Sequence, residues 1–161
     1  MTTDEITVDV IERFQRSYPV PIKDMARALG IRVIEKELPN DVSGKIVRDW
    51  SGTFEITANA KHSTTRRRFT IAHEIAHYIL HRDLIGDGIV DTALYRSTRI
   101  SDSLERQANR YAATLLMPRG LVCMAWKEGI NEPRTMASAF EVSTAFAEIR
   151  YTELGCTYWR R

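Results

Sequence analysis

A chain of 161 residues with 43% apolar content is long enough for one globular domain that buries roughly two-thirds of the surface its unfolded form exposes, and residues 1–161 are read as one unit. Its 23 basic and 21 acidic side chains leave a formal charge of +2, which argues against wholesale binding to phosphate backbones or to membrane surfaces. The start, Met1-Thr2-Thr3-Asp4-Glu5, is acidic and lacks the basic and apolar regions of a secretory signal. No apolar run reaches about 18 residues, and Cys123 and Cys156 lie far apart in no zinc-ribbon or redox spacing, so a cytoplasmic protein with two free thiols is expected.

Ile6, Val10 and Phe14 recur at helical spacing behind a Thr2 or Thr3 cap, and Pro19 and Pro21 stop that helix. Ile22, Met25, Ala26 and Leu29 make a second apolar stripe, with Gly30 placed as its C-terminal cap. The pattern then changes to strands. Ile31 to Leu38 is the first, a Pro39-Asn40-Asp41 turn follows, and Gly44 to Arg48 is the second. After the turn residues Asp49-Trp50-Ser51-Gly52, Phe54, Ile56 and Ala58 alternate with Thr53, Glu55, Thr57 and Asn59, so an antiparallel third strand is expected with one face under the following helix. At an edge, that strand would present free backbone groups to an extended peptide; covered by a loop, it would be plain structure.

Ser63, Thr64 and Thr65 offer caps for the central helix, and Arg66, Arg67 and Arg68 form its first turn, expected to be exposed and salt-bridged. Within Phe69 to Leu80 the residues His73-Glu74-Ile75-Ala76-His77 read His-Glu-x-x-His. At about 100° per residue the two imidazoles fall on one face, one turn apart, where both reach a single metal ion. Glu74 lies beside the pair, suited to hold a water rather than a coordination position, and zinc would make that water a nucleophile near neutral pH. Apolar residues nearly all round mark this as a buried helix, where imidazoles and a carboxylate need partners. Two ordinary histidines satisfied by polar neighbours are the plainer alternative. His81, one turn past His77, drifts off the face and reads better as a fixed histidine near the helix C-terminus than as a ligand; His62 has no partner that the sequence reveals.

Residues 82–100 hold Gly86, Gly88 and three aspartates with little periodicity, a flap or wall over the cleft or else a disordered run. The next helix opens at Ser101 or Asp102 and runs to Met117, where Pro118 ends it. Glu105 on it either closes a capping box with Asp102 or serves as a ligand, and Asp87, Asp91 and Asp102 are formally available too. Asn109, one turn on, suits a hydrogen bond that orients a ligand. Further along, Glu132-Pro133 starts a helix from Arg134 to Phe140, and Ser143 caps another to Leu154. Residues 137–143 read like the turn of a helix-turn-helix, which makes a DNA-binding regulator the chief rival function. Glu141, Glu148 and Glu153 against Arg150 make a poor surface for phosphates, so direct nucleic-acid binding is not expected and these helices are assigned to packing within the same domain.

The stretch Arg68 to His81, followed by Glu105-Arg106-Gln107-Ala108-Asn109-Arg110-Tyr111-Ala112 and Leu115-Leu116-Met117-Pro118, resembles the ImmA/IrrE family of metallopeptidases. Similarity extends to the helix end at Ala26 to Gly30, to residues 137–143, and to Arg150 with Leu154-Gly155, so it covers nearly the whole chain. The resemblance implies an α+β, minimal zincin-like fold, with a small antiparallel-containing sheet packed on the buried metal-binding helix. It implies zinc (Zn2+) held by His73, His77 and Glu105, with Glu74 as the catalytic base. Departures are small: Ile75-Ala76 stands where Leu-Gly is common and Tyr111 where Phe is frequent. A second oxyanion donor is expected among Tyr78, Tyr95, Tyr111 and His81. Family members are often encoded beside helix-turn-helix repressors, in mobile elements and toxin–antitoxin-like pairs, and some cleave the repressor. The implied function is a zinc endopeptidase of narrow specificity acting on a helix-turn-helix repressor encoded nearby, with a toxin-like partner protein acting by association as a further alternative.

Overall fold

A computed structural model describes residues 2–85, the backbone of 89–92, and residues 102–159. Helix α1, Thr3–Phe14, begins with a reciprocal capping box in which the Thr2 hydroxyl accepts from the Glu5 amide and the Glu5 carboxylate accepts from the Thr2 amide. Helix α2, Ile22–Ala28, ends where Gly30 takes a positive φ of 84° and donates its N–H to Arg27 O, while Ile31 N–H returns to Ala26 O. Only a residue without a Cβ makes that left-handed step at no steric cost.

Strands β1 (Arg32–Lys36), β2 (Val42–Arg48), β3 (Phe54–Asn59) and β4 (Ile89–Thr92) form a sheet in the order β1-β3-β2-β4. The β2–β3 hairpin is antiparallel with Ile46 opposite Ile56 and Gly44 opposite Ala58. Asp49 closes its turn by accepting from the Ser51 and Thr53 amides, with Gly52 at φ 85°. The antiparallel return from β2 to β3 is as expected, whereas the place of β3 in the sheet and its burial are not. β1 pairs with β3 in parallel, and β3 is therefore interior rather than an edge. Ile56, Thr57, Ala58 and Asn59 are all buried in place of a one-sided alternation, so no backbone of β3 is free to pair with a peptide. Of the 82–100 stretch, Arg82–Leu84 forms a 3-10 turn and residues 89–92 pair antiparallel with β2; a flap over the cleft falls on residues outside those described.

Helix α3, Thr64–Leu80, is capped by the Ser63 hydroxyl and buried continuously from Thr70 to His77. It packs across β2 and β3 and against α4, Asp102–Leu116. Gly44 marks the tightest approach: a Cβ there would lie 2.5 Å from Thr57 O and 2.5 Å from Thr70 Cγ2. Asn59, fully buried, bonds the carbonyls of Leu38, Pro39 and Val42 and so fixes the β1–β2 connection, where His62 reaches Asn40 O at 3.2 Å.

After Pro118 the chain forms α5 (Arg119–Lys127), α6 (Pro133–Phe140) and α7 (Thr144–Glu153), then a 3-10 turn over Cys156–Trp159. Helix α5 is not anticipated above, although Leu121, Val122 and Ala125 carry its buried face. Glu141 takes the left-handed conformation between α6 and α7 at φ 51°. Arg68 welds this corner to α3. It is buried, not exposed as expected of the arginine run, and its guanidinium donates to Val20 O (2.9 Å), Glu141 O (3.2 Å) and Phe140 O (3.4 Å). Arg66 and Arg67 turn outward to Ser43 and Glu35. Both cysteines are free thiols. No helix among the described residues is long and apolar enough to cross a membrane.

Candidate metal centre

Helices α3 and α4 lie antiparallel, and their register sets the site. His77 faces Glu105, and one turn away His73 faces Asn109. His73 Nε2 and His77 Nε2 are 3.0 Å apart, His77 Nε2 is 3.0 Å from Glu105 Oε1, and His73 Nε2 is 3.2 Å from Glu105 Oε2. Among the described residues this is the one group of three potential ligands whose donor atoms converge. The edge of a tetrahedron with zinc bonds of 2.0–2.1 Å is about 3.3 Å, so these spacings already approach those of a coordinated set. His73, Glu74 and His77 are at most 2% exposed.

The outer nitrogens decide which way the lone pairs point. Asn109 Oδ1 lies 2.8 Å from His73 Nδ1, and an amide oxygen only accepts, so His73 carries its proton on Nδ1. His81 Nε2 lies 3.1 Å from Gln107 Oε1 and therefore donates to it, which leaves His81 Nδ1 as an acceptor. His77 Nδ1, 3.0 Å from that acceptor, must then be the donor. Both Nε2 lone pairs consequently aim at the carboxylate, and three electron-rich groups converge on a point that needs positive charge. A divalent cation fits that donor set, and so does a proton. Burial by itself raises the Glu105 pKa, but where a proton takes the place of the cation between the rings and the carboxylate, the hydrogen bonds and charge it gives His73 and His77 outweigh burial and hold the carboxyl well below the usual range.

The Glu105 carboxylate thus turns to the histidines rather than into a cap. His81 is the fixed histidine expected from its position, and its fixing partner is His77 itself. Tyr78 donates to Leu29 O at 3.4 Å and lies under the Arg82 guanidinium, and Tyr111 packs against the core, where burial raises its pKa. Neither Tyr78 nor His81 has a hydroxyl or N–H left facing the cluster. Tyr95, Asp87 and the Asp91 side chain lie outside the described residues. Glu74 is fully buried on the same turn as the two histidines. The link from His77 through His81 to Gln107 escaped sequence reasoning, because Gln107 is an unremarkable exposed position on α4.

A solved structure described as a Mycobacterium tuberculosis transcriptional regulator superposes with a TM-score of 0.59 at 18% identity, a likeness of fold. It covers 92% of this chain, and the chain spans 55% of that one. No curated protein matches the sequence. The family model described as IrrE N-terminal-like domain matches residues 26–152, which contain all of His73, Glu74, His77 and Glu105. The chain belongs to that family, Peptidase_M78.

Proposed function

We propose that this chain is a zinc-dependent endopeptidase of narrow specificity whose substrate is a protein, a helix-turn-helix transcriptional repressor. The observation that carries the reading is the convergence of two imidazole lone pairs and one carboxylate on a single point, with a second buried carboxylate one residue along the helix. His73, His77 and Glu105 would hold the ion, leaving a tetrahedral position open. When bound, zinc polarises a carbonyl and lowers the pKa of water, which supplies the electrophile and the nucleophile for hydrolysis.

The protein's own part is proton traffic and orientation. Glu74 takes a proton from the attacking water on its carboxylate and delivers it to the leaving amine as the peptide bond breaks. Asn109 and the His81–Gln107 pair lock the rings so that Nε2, not Nδ1, faces the reaction centre. Burial of Glu74 keeps its carboxylate out of bulk water, where competing solvation would blunt it as a base.

A regulatory setting for the substrate is supported by the family and by the description of the structural neighbour as a transcriptional regulator. The rival, direct DNA reading by α6 and α7, sits poorly with how α7 is used. Phe146 packs edge-on against Phe69 at 5.6 Å, and Arg150 donates to Met117 O at 3.0 Å. Those side chains are committed inward.

The test is incubation of the metal-loaded chain with the repressor-like product of an adjacent gene, followed by intact-mass analysis with and without chelator. Specific fragments that vanish with chelator are expected. Glu74→Gln should retain its metal and lose cleavage, since it removes the base without touching a ligand; undiminished cleavage by that variant would discard the mechanism.

A further inference from the structure

Helix α3 begins against its own electrostatics. Its first turn holds no acid, and Arg66, Arg67 and Arg68 follow in succession, although the aligned peptide dipoles place positive charge at that end and favour an anion there. Helix α1 shows the ordinary arrangement, with Asp4 and Glu5 in its first turn. Beside the start of α3, bounded by α2, β1 and the α6–α7 corner, lies a hollow of about 280 Å³. Lys23, Arg27, Arg67 and Arg68 line it together with Asp24, Glu35 and Glu141.

Two of the acids already hold cations. Glu35 accepts from Arg67 at 3.1 Å and also pairs with Lys23, and Asp24 pairs with Arg27 at 3.3 Å. Arg68 is the least well matched of the four cations. It is 9% exposed, and its Nε and Nη2 donate to the neutral carbonyls of Glu141, Val20 and Phe140. The Glu141 carboxylate is half-exposed and stands 3.6 Å from Nε, too far for a hydrogen bond. Burial pulls the Arg68 pKa down, and Glu141 offsets only part of that. Nη1 donates to none of the described residues, and it is not sealed from solvent. Its two N–H groups open where Arg68 lines the hollow.

We propose that this hollow binds a small oxyanion, a carboxylate or a phosphate monoester, with the charged head on Arg68 Nη1 and the half-exposed side chains of Lys23 and Arg27 at the mouth. A buried guanidinium with unused donors, at the positive end of a long helix, is matched by a charged acceptor and not by a neutral one. Size limits the ligand. The volume lies just under the range of about 300–1,000 Å³ typical of drug-sized clefts, so the molecule is smaller than a dinucleotide. Asp24, Glu35 and Glu141 on the walls repel a polyanion such as a nucleic-acid backbone, whereas a single head group reaches Arg68. Bound there, the anion joins the start of α3 to α2 and to the corner at Glu141, and it stabilises the fold by mass action. The site is separate from the metal centre and does not depend on the endopeptidase reading.

Isothermal titration of the full chain with inorganic phosphate and, separately, with malonate, at constant ionic strength set with chloride, tests the site. At least one of the two should bind saturably at one equivalent, and the tighter names the head group as phosphate or carboxylate. At a hundredfold excess over Kd the melting temperature should rise by about 5–10 °C. Charge changes locate the effect. Arg27→Glu alters an exposed position whose ion pair contributes little, and it should weaken binding about tenfold. Glu141→Gln removes the acid that competes for Arg68 and should tighten binding about fivefold. Arg106→Glu makes the same charge change as Arg27→Glu but sits beside Glu105, which faces His77 near the other end of α3, and should leave Kd unaltered. Arg68→Met should abolish binding; because that change also loosens the corner, the Arg27 and Glu141 variants carry the decision. Stabilisation that grows linearly with concentration and never saturates, as an excluded salt gives, overturns the proposal. So does a Kd that answers to Arg106→Glu as strongly as to Arg27→Glu, or one that neither Arg27→Glu nor Glu141→Gln moves.

Discussion

Asn109→Ala is the perturbation that most directly questions the proposed metal centre, because it touches the orientation of a proposed ligand and not that ligand itself. Asn109 is exposed on α4 and bonds His73 Nδ1 at 2.8 Å through its amide oxygen. Removing that acceptor frees the proton of His73 to move to Nε2, which destroys the lone pair aimed at the proposed ion position. Loss of such an outer partner costs about 10–100-fold in metal affinity, or about 1.4–2.7 kcal/mol. Fold stability of the metal-free chain should fall by about 0.5–1.5 kcal/mol, the net worth of one hydrogen bond. Asn109→Asp should act in the opposite direction. A carboxylate accepts the same proton in a charge-assisted bond of about twice the strength, so that variant should bind zinc at least as tightly as the parent. Competition against a chromophoric chelator measures all three proteins on one scale. Equal affinities for the Ala variant and the parent, or an Asp variant weaker than Ala, would refute the assignment of the proton to Nδ1 and with it the inward aim of Nε2.

Three other outcomes follow from the same structure. Gly44→Ala should destabilise the fold by about 1–3 kcal/mol or more in urea titrations, because the new Cβ meets an immovable backbone carbonyl and Thr70 of α3 at 2.5 Å each; a neutral effect would mean the β2–α3 contact is looser than described. Arg68→Met keeps the length of the side chain but strands the carbonyls of Val20, Phe140 and Glu141, a loss of about 2–4 kcal/mol after the relief of burying a charge is credited, and calorimetric melting reads it. For pH, Glu105 has a depressed pKa in the fold, so its contribution is complete above the unfolded carboxylate pKa of about 4.3 and disappears as pH falls through the folded value. In chelated protein, the stability difference between the parent and Glu105→Gln should be flat above about pH 5 and shrink steadily below 4; a difference that persists unchanged into acid would show that the carboxylate is not held by the two rings.

The sequence determined what lies within one turn of backbone. A helix fixes the angle between residues four apart, so His73 and His77 on one face, the Ser63 and Ser143 caps, the Gly30 helix end and the stop at Pro118 were legible directly, and burial of the central helix followed from its apolar circumference. Glu105 was a ligand by resemblance and only one of several choices by spacing, because nothing local says which acid on which helix will face a given turn of another. That was decided by the antiparallel register of α3 and α4, which also chose Asn109 for His73. The same holds for the parallel pairing that makes β3 interior, for the sinking of Arg68 into the corner below α7, and for the proton order along His77, His81 and Gln107. Each depends on which surfaces are pressed together, and close packing of side chains from distant segments, rather than any local preference, makes that selection.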